Sequence, residues 1–355
     1  MRVIVTIQHP GHVHFFRNAI DELEADGHEV HVFARESGVA VDLLEAAGID
    51  YEVLAGDANS LPSLAAVQAT YEARLLRRAR AIDPDVITAI GGVAAAHVAT
   101  ALRTESVVFY DTEHATLITS LGYPFADVIC TPTCYRDEIG SKQVSYPGYH
   151  ELAYLHPDRF EPDPSVLELA GVESDEQFAV VRLSSWGASH DVGHGGFDDP
   201  HEVVDRLENA GATVLLTAEG EPPAELESYQ LETPPEKMHD LLAYADVVVG
   251  EGATTAAEAA VLGTPSVYVN SLSLGYTAEL DSEYGLLFEF SDENRHVEAL
   301  EKAVSIIERE DDPWATRRER LLAERVDVTD VIVRTLETTA RGGRPTQTKH
   351  AANLG

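Results

Sequence analysis

One stretch of the sequence, ADVVVGEGATTAAEAAVLGTPSVYVN from Ala245 to Asn270, constrains the fold more than any other. Val247 to Val249 form a continuous apolar run, which suits a strand covered on both faces. Gly250 and Gly252 supply the permissive backbone that a sharp exit turn needs. Thr254 or Thr255 is placed to cap a helix over Ala256 to Leu262, which Gly263 and Pro265 stop before Ser266 to Val269 return as the next strand. The free amides at such a helix start attract anions. Glu258 lies one turn in, where a carboxylate accepts both hydroxyls of a ribose whose phosphates rest on the turn. A plain strand-helix-strand crossover with Glu258 in solvent satisfies the local pattern equally well.

The same alternation runs along the whole chain. In the first half Val3–Ile7, Glu29–Phe33, Tyr51–Leu54, Asp85–Ala89, Ser106–Tyr110 and Val128–Cys130 read as strands. Helices are expected over Val13 to Asp26, ending at Gly27, and over Leu64 to Ala81, ahead of Asp83-Pro84. Pro147, Gly148, Pro157, Pro162 and Pro164 interrupt the pattern. It resumes with strands at Phe178–Leu183, Thr213–Thr217, Val247–Val249, Ser266–Val269 and Leu286–Phe288, and with helices near His201–Ala210, Met238–Ala243 and His296–Arg309. The expectation is an α/β chain of two doubly wound, Rossmann-like domains. Residues 1–150 form the first, 151–176 a linker region, 177–340 the second, and 341–355 a disordered tail. A length of 355 residues agrees with two domains of substantial core.

Charge restricts the partners. Lysine and arginine number 25 against 61 aspartates and glutamates, a net charge of −36. A surface this acidic repels nucleic acid and anionic membranes, and no strong basic patch offsets it locally, so no nucleic-acid partner is expected. With 44% hydrophobic residues and intact periodicity, the acidity does not signal disorder. It fits a folded protein kept soluble in concentrated salt, as in a halophilic, salt-in cytoplasm. An acidic face for a basic partner is the alternative, against which stands the spread of charge along the whole chain. The N-terminus enters a strand at Val3 without a signal-peptide pattern, and no run reaches about 18 apolar residues, so a soluble, cytoplasmic protein is expected. Cys130 and Cys134 lack further cysteines to complete a sulfur site and read as free thiols.

Ligands of doubly wound sheets bind at the carboxyl ends of the strands, and two such domains create a cleft there. Four loops at those ends carry distinctive chemistry. His12 follows the first strand and is a candidate general base, while His14 reads as packing under the first helix. The spacing His9-x-x-His12-x-His14 also suits a metal, but no carboxylate ligand stands nearby and none is expected to be bound. Asp111, Glu113 and His114 follow a strand directly. They read either as acceptor-activating groups or as an ordinary helix cap with acids in the first turn. Ser184, Ser185 and Gly187 are small enough to admit a diphosphate, with Arg182 offsetting its charge if turned inward. Trp186 reads as packing, and His190 and His194 are too isolated to form a metal site. Gly252, Thr254, Thr255 and Glu258 complete the candidate donor site.

The segment LLAYADVVVGEGATTAAEAAVLGTPSVYV, Leu241 to Val269, resembles the nucleotide-sugar motif of GT-B glycosyltransferases, especially the peptidoglycan N-acetylglucosaminyltransferase family. Glu258 stands at that family's ribose-binding glutamate, and Gly252, Ala253 and Thr255 match its turn, whereas Glu251 replaces its usual serine. PGHVHFF, Pro10 to Phe16, with ADGHEVHVFA, Ala25 to Ala34, resembles its glycine-histidine loop, first helix and second strand, and His12 matches the loop histidine. FYDTEHA (Phe109 to Ala115), YPFADVICTP (Tyr123 to Pro132), YPGYHELAYL (Tyr146 to Leu155) and VVRLSSWGASHD (Val180 to Asp191) resemble, in order, a GT-B-like family of unknown function from archaea and bacteria.

The resemblance implies a GT-B-like fold and transfer of a sugar from a nucleotide-sugar donor to a glycan or lipid-linked acceptor. It implies no cofactor beyond the donor as substrate, a place in polysaccharide biosynthesis, and transient membrane proximity through the acceptor. Two readings stay open beside it: a nucleotide-sugar 2-epimerase, as in the related UDP-N-acetylglucosamine 2-epimerase family, and a non-catalytic nucleotide-sugar-binding protein.

The charge balance yields a direct test. The Debye length shortens from about 10 Å at 0.1 M salt to about 3 Å at 1 M. Screening of the −36 charge should therefore raise the thermal unfolding midpoint steadily with added KCl. A midpoint flat or falling between low and molar KCl would remove the high-salt reading.

Overall fold

A computed structural model of the chain describes residues 1–57, 61–183, 197, 199–218, 223–231 and 233–347. Ser184, Ser185, Trp186, Gly187, His190 and His194 lie outside the described residues, as do 348–355 of the tail. Two compact units emerge, one comprising Met1–Arg159 with Arg325–Gly355 and the other Phe160–Glu324.

The first unit is built on seven parallel strands: β1 (Arg2–Ile7), β2 (Glu29–Arg35), β3 (Tyr51–Ala55), β4 (Val86–Ile90), β5 (Glu105–Phe109), β6 (Val128–Pro132) and β7 (Gln143–Tyr146). Their order is 3-2-1-4-5-6-7, so the direction of winding reverses between β1 and β4. The connecting helices are α1 (Pro10–Ala25), α2 (Ala40–Ala46), α3 (Leu61–Ile82), α4 (Val93–Leu102) and α5 (Thr116–Gly122). β7 escaped the sequence reading because only Val144 and Tyr146 of its four residues are buried.

Ile4, Phe33 and Ile87 pack on one face of this sheet against Tyr71, Leu75 and Ala79 of α3 and the alanines of α4. An all-parallel sheet must be covered on its other face too. There the chain's last helix lies against α1 and reaches β4 and β5.

The second unit holds five parallel strands: β8 (Phe178–Leu183), β9 (Thr213–Ala218), β10 (Val247–Gly250), β11 (Ser266–Val269) and β12 (Leu287–Phe290), in the order 12-11-10-8-9. This is the flavodoxin-like 2-1-3-4-5 winding, with its reversal between β8 and β10. Its helices are α6 (Val166–Ala170), α7 (Pro200–Asn209), α8 (Met238–Tyr244), α9 (Ala253–Leu262), α10 (Gly275–Glu279), α11 (Arg295–Ile307) and α12 (Trp314–Glu324). Val181, Val249 and Val267 pack with Val203 and Leu207 of α7 and Leu300 and Ala303 of α11. Every residue of α9 from Ala256 to Leu262 is buried, and its alanines let it sit close to β10 and β11.

The division of the chain differs from that expected at 151–176 and 177–340. Residues 151–159 are no open linker: Glu151 to Leu155 are buried in the first unit. The last helix, α13 (Val328–Ala340), belongs to the first unit as well. Arg159 fastens this return, its guanidinium reaching Asp327 at 2.6 Å, Asp330 at 3.1 Å and Glu22 at 3.1 Å. Thr329 donates to the Ala153 carbonyl at 2.7 Å. A Cβ on Gly148 would meet Val328 at 2.7 Å, which explains a glycine where the chain passes beneath α13. Among the described residues no helix is long and apolar enough to cross a membrane.

Ile332 is wholly buried in α13. Ile332→Ala should cost about 2–5 kcal/mol, and amide exchange should quicken in β4 and β5 while β10 and β11 keep their protection. Unchanged exchange in β4 and β5 would separate α13 from the first unit's core.

Candidate functional site

In the second unit the winding reversal is the natural ligand position. Val249, Gly250 and Glu251 leave β10 beside Arg182 of β8, so close that a Cβ on Gly250 would lie 3.0 Å from the Arg182 carbonyl. Gly252 then caps α9 from extended backbone, and no side-chain oxygen caps that helix. Thr254 and Thr255, expected as caps, instead fall inside its first turn because the helix begins at Ala253. The first intrahelical bond runs from Ala256 N–H to the Gly252 carbonyl at 3.2 Å. The preceding amides point along the axis beyond the helix start, where the partial positive charge of the helix concentrates. Arg182 Nε lies 3.9 Å from where a Gly252 Cβ would stand, bringing the guanidinium to the same place.

Glu251, at the family's usual serine position, turns its carboxylate to Phe197, accepting that residue's backbone N–H at 2.7 Å. Its own carbonyl accepts from Asn270 at 3.0 Å. The carboxylate thereby ties Phe197, shortly before α7, to the start of α9.

Glu258 is buried on α9 and meets His239 of α8, Nε2 to Oε1, at 2.9 Å. The ring of Phe160 stands edge-on to His239 at 6.3 Å. His239 carried no functional signal in the sequence, being one residue of a short helix.

In the first unit the reversal lies between β1 and β4. His9 caps α1, its Nδ1 accepting from Gly11 N–H at 3.2 Å, with Pro10 in the first position. Across the reversal Gly91 and Gly92 hold φ of +71° and +64°. A Cβ on Gly92 would strike Val108 at 2.5 Å. This Gly-Gly turn passed unnoticed in the sequence.

His12 sits in the first turn of α1, and Gln8 N–H donates to its Nδ1 at 3.3 Å. Burial, then His9, His150 and Arg35 close by, push its imidazole down to about 3, with only the Thr6 carbonyl acting the other way. His12 is therefore neutral at physiological pH. His14 is buried and stacks on Tyr154 at 5.3 Å.

Asp111 follows β5, but α5 begins only at Thr116 with Ala115 at its cap, so neither Asp111 nor Thr112 caps a helix. Asp111 instead accepts from Thr112 Oγ1 at 2.9 Å and pairs with His150 Nδ1 at 3.1 Å. Glu113 accepts from Arg136 N–H at 3.1 Å, and His114 is exposed. His150 opens a 3-10 turn, His150–Ala153, directly after β7. Its ring packs on Phe15 at 4.5 Å, and its Nε2 is buried with no partner among the described residues. Burial lowers its pKa, opposed by the charge of Asp111. The sequence reading quoted His150 within YPGYHELAYL without giving it a role.

Solved structures share this architecture. The S. aureus MnaA–UDP co-structure superposes with a TM-score of 0.71 at 11% identity, over 98% of this chain and all of the other. UDP-GlcNAc 2-epimerase from Methanocaldococcus jannaschii gives 0.65 at 14% identity, over 95% and 99%. Glycosyltransferase VinC in complex with dTDP gives 0.64 at 16% identity, over 97% and 100%. The fold is GT-B-like, two Rossmann-like units, as the sequence led us to expect. An uncharacterized protein of M. jannaschii is 24% identical over 277 residues, 75% of this chain and 80% of that protein. Residues 1–327 match DUF354, a protein family of unknown function, and the chain belongs to that family.

Proposed function

We propose that this protein is a glycosyltransferase that takes its sugar from a nucleotide-sugar donor held by the second unit and passes it to a glycan or lipid-linked acceptor. The observation that carries the reading is the uncapped start of α9 at the β8–β10 reversal, with Arg182 beside it and Glu258 buried on the same helix. An anion binding there meets backbone donors, a helix dipole and a guanidinium. Those are the local positive features that a chain of net charge −36 needs to hold a diphosphate. Glu258 supplies acceptor oxygens for the ribose hydroxyls, with Thr254 and Thr255 at the phosphates. Structures sharing the fold carry UDP and dTDP, which agrees with a donor of this class. The reaction belongs to the cytoplasm and to polysaccharide assembly.

Calorimetric titration with UDP in concentrated salt tests the donor site. Glu258→Ala should weaken binding about 10- to 100-fold, the worth of charged hydrogen bonds to two hydroxyls, and Glu258→Gln less. Unchanged affinity in both variants would refute the ribose role. Incubation with a panel of nucleotide sugars then decides the reaction. Donor epimerised without acceptor would replace transfer by a 2-epimerase activity, and binding without turnover on any acceptor would leave a binding protein.

A further inference from the structure

In the first unit the structure couples two residues that lie far apart in sequence, Asp111 and His150. We propose that Asp111 is the base that takes the acceptor hydroxyl's proton, and that His150 is its positioning residue, holding the carboxylate aimed through Nδ1–H. This rests on the glycosyltransferase reading. As the acceptor oxygen bonds to the anomeric carbon, its proton passes to Asp111. The bond from that carbon to the donor phosphate breaks, and the nucleoside diphosphate leaves with the electron pair.

Geometry separates Asp111 from the other candidates. It stands at the carboxyl end of β5, where ligands of such a sheet bind, with 16% of its side chain exposed against 8% for His150. Glu113 is turned to the Arg136 backbone. His12 already accepts at Nδ1 from Gln8 N–H, so its neutral ring carries the proton on Nε2 and offers a donor rather than a base.

The tautomer of His150 follows from hydrogen-bond satisfaction. A proton on Nε2 would be a buried donor with no partner, whereas a proton on Nδ1 points at the Asp111 carboxylate 3.1 Å away. Tyr146 adds a second buried polar atom without a partner among the described residues, and Asp111 is the charged group that influences it most. Buried polar atoms left unsatisfied mark a place organised for something other than packing.

The phenol and imidazole groups facing the pair carry no charge. Tyr110, Tyr135 and Tyr146 are all pushed up, burial being the main cause, and stay protonated. His12, facing from α1, stays neutral, as does the buried His150 ring.

Three variants and one spectrum test this. Asp111→Asn should lower kcat about 10²- to 10⁴-fold, the range for a lost general base, with UDP affinity unchanged. His150→Leu should lower kcat and move the acid limb of the pH profile upward, because a carboxylate that loses a donor is protonated more easily. His150→Asn keeps an amide N–H at the place of Nδ1 and should restore the wild-type limb. If His150→Asn is as inactive as His150→Leu while folded, Nε2 is itself the base and the proposal falls.

Nitrogen-15 spectra of the imidazoles read the pair without any assay. At neutral pH His150 should be neutral with its proton on Nδ1, and Asp111→Asn should disturb that state. A ring protonated on Nε2, or charged, overturns the proposal. A wild-type protein that binds no nucleotide and transfers nothing refutes the glycosyltransferase reading and with it the step assigned to Asp111, while the spectrum still decides the pairing.

Discussion

A parallel sheet has no face it can leave to water, and that requirement organises this chain. Strands buried on both sides need helices on both sides, and right-handed crossovers distribute them so. In the first unit α3 and α4 serve one face while α1 and α13 lie on the other. The chain must therefore leave the first unit at Arg159, complete the second, and come back at Arg325. Arg159 is spent on that return, bound to three carboxylates of the first unit. Parallel winding has a second consequence, since every strand delivers its outgoing loop to the same end of its sheet. Loops distant in sequence, such as those after β5 and β7, therefore bring Asp111 and His150 within hydrogen-bonding distance.

Net charge and local charge act here at different ranges. An excess of acids spread along the chain governs solubility and the response to salt, and it screens away within a few ångströms in concentrated salt. The features that favour an anion at α9 are short-range: backbone amides, a helix start and one guanidinium. Screening spares interactions at hydrogen-bonding distance more than it spares distant repulsion. Glu251 shows the same separation of scales. As one more negative charge beside a diphosphate it would be a liability, yet its carboxylate accepts the Phe197 N–H and so is turned to a backbone donor.

The strands were legible because a doubly buried strand must be a short apolar run, and β8 and β11 match the sequence reading residue for residue. Where that signal is diluted the reading fails, as at β7, whose alternation of half-buried and buried residues over four positions is too short to register. The last helix, α13, was not picked out in the sequence, and its place in the first unit could not have been, because periodicity reveals an apolar face and says nothing of which sheet receives it. Glu258 announced itself through its neighbours in a recognisable strand-turn-helix. His239 and His150 did not, since each owes its significance to a carboxylate reached through tertiary folding, 19 and 39 positions away. The threonine caps failed for a local reason: glycine at 252 already takes the cap position, and the helix starts earlier than its first apolar residue suggests.

Each unit thus places a carboxylate against an imidazole, half-buried Asp111 with His150 and buried Glu258 with His239. The choice has a physical consequence. A guanidinium would cancel the carboxylate's charge and hold it in a fixed fork geometry. A neutral imidazole donates one hydrogen bond and adds no charge, so it orients a carboxylate without cancelling its charge. At His150 burial favours that neutral state, because it penalises an imidazolium. Sugars present hydroxyls and little else, and a carboxylate held by an uncharged donor is the kind of group that can orient a hydroxyl or take its proton.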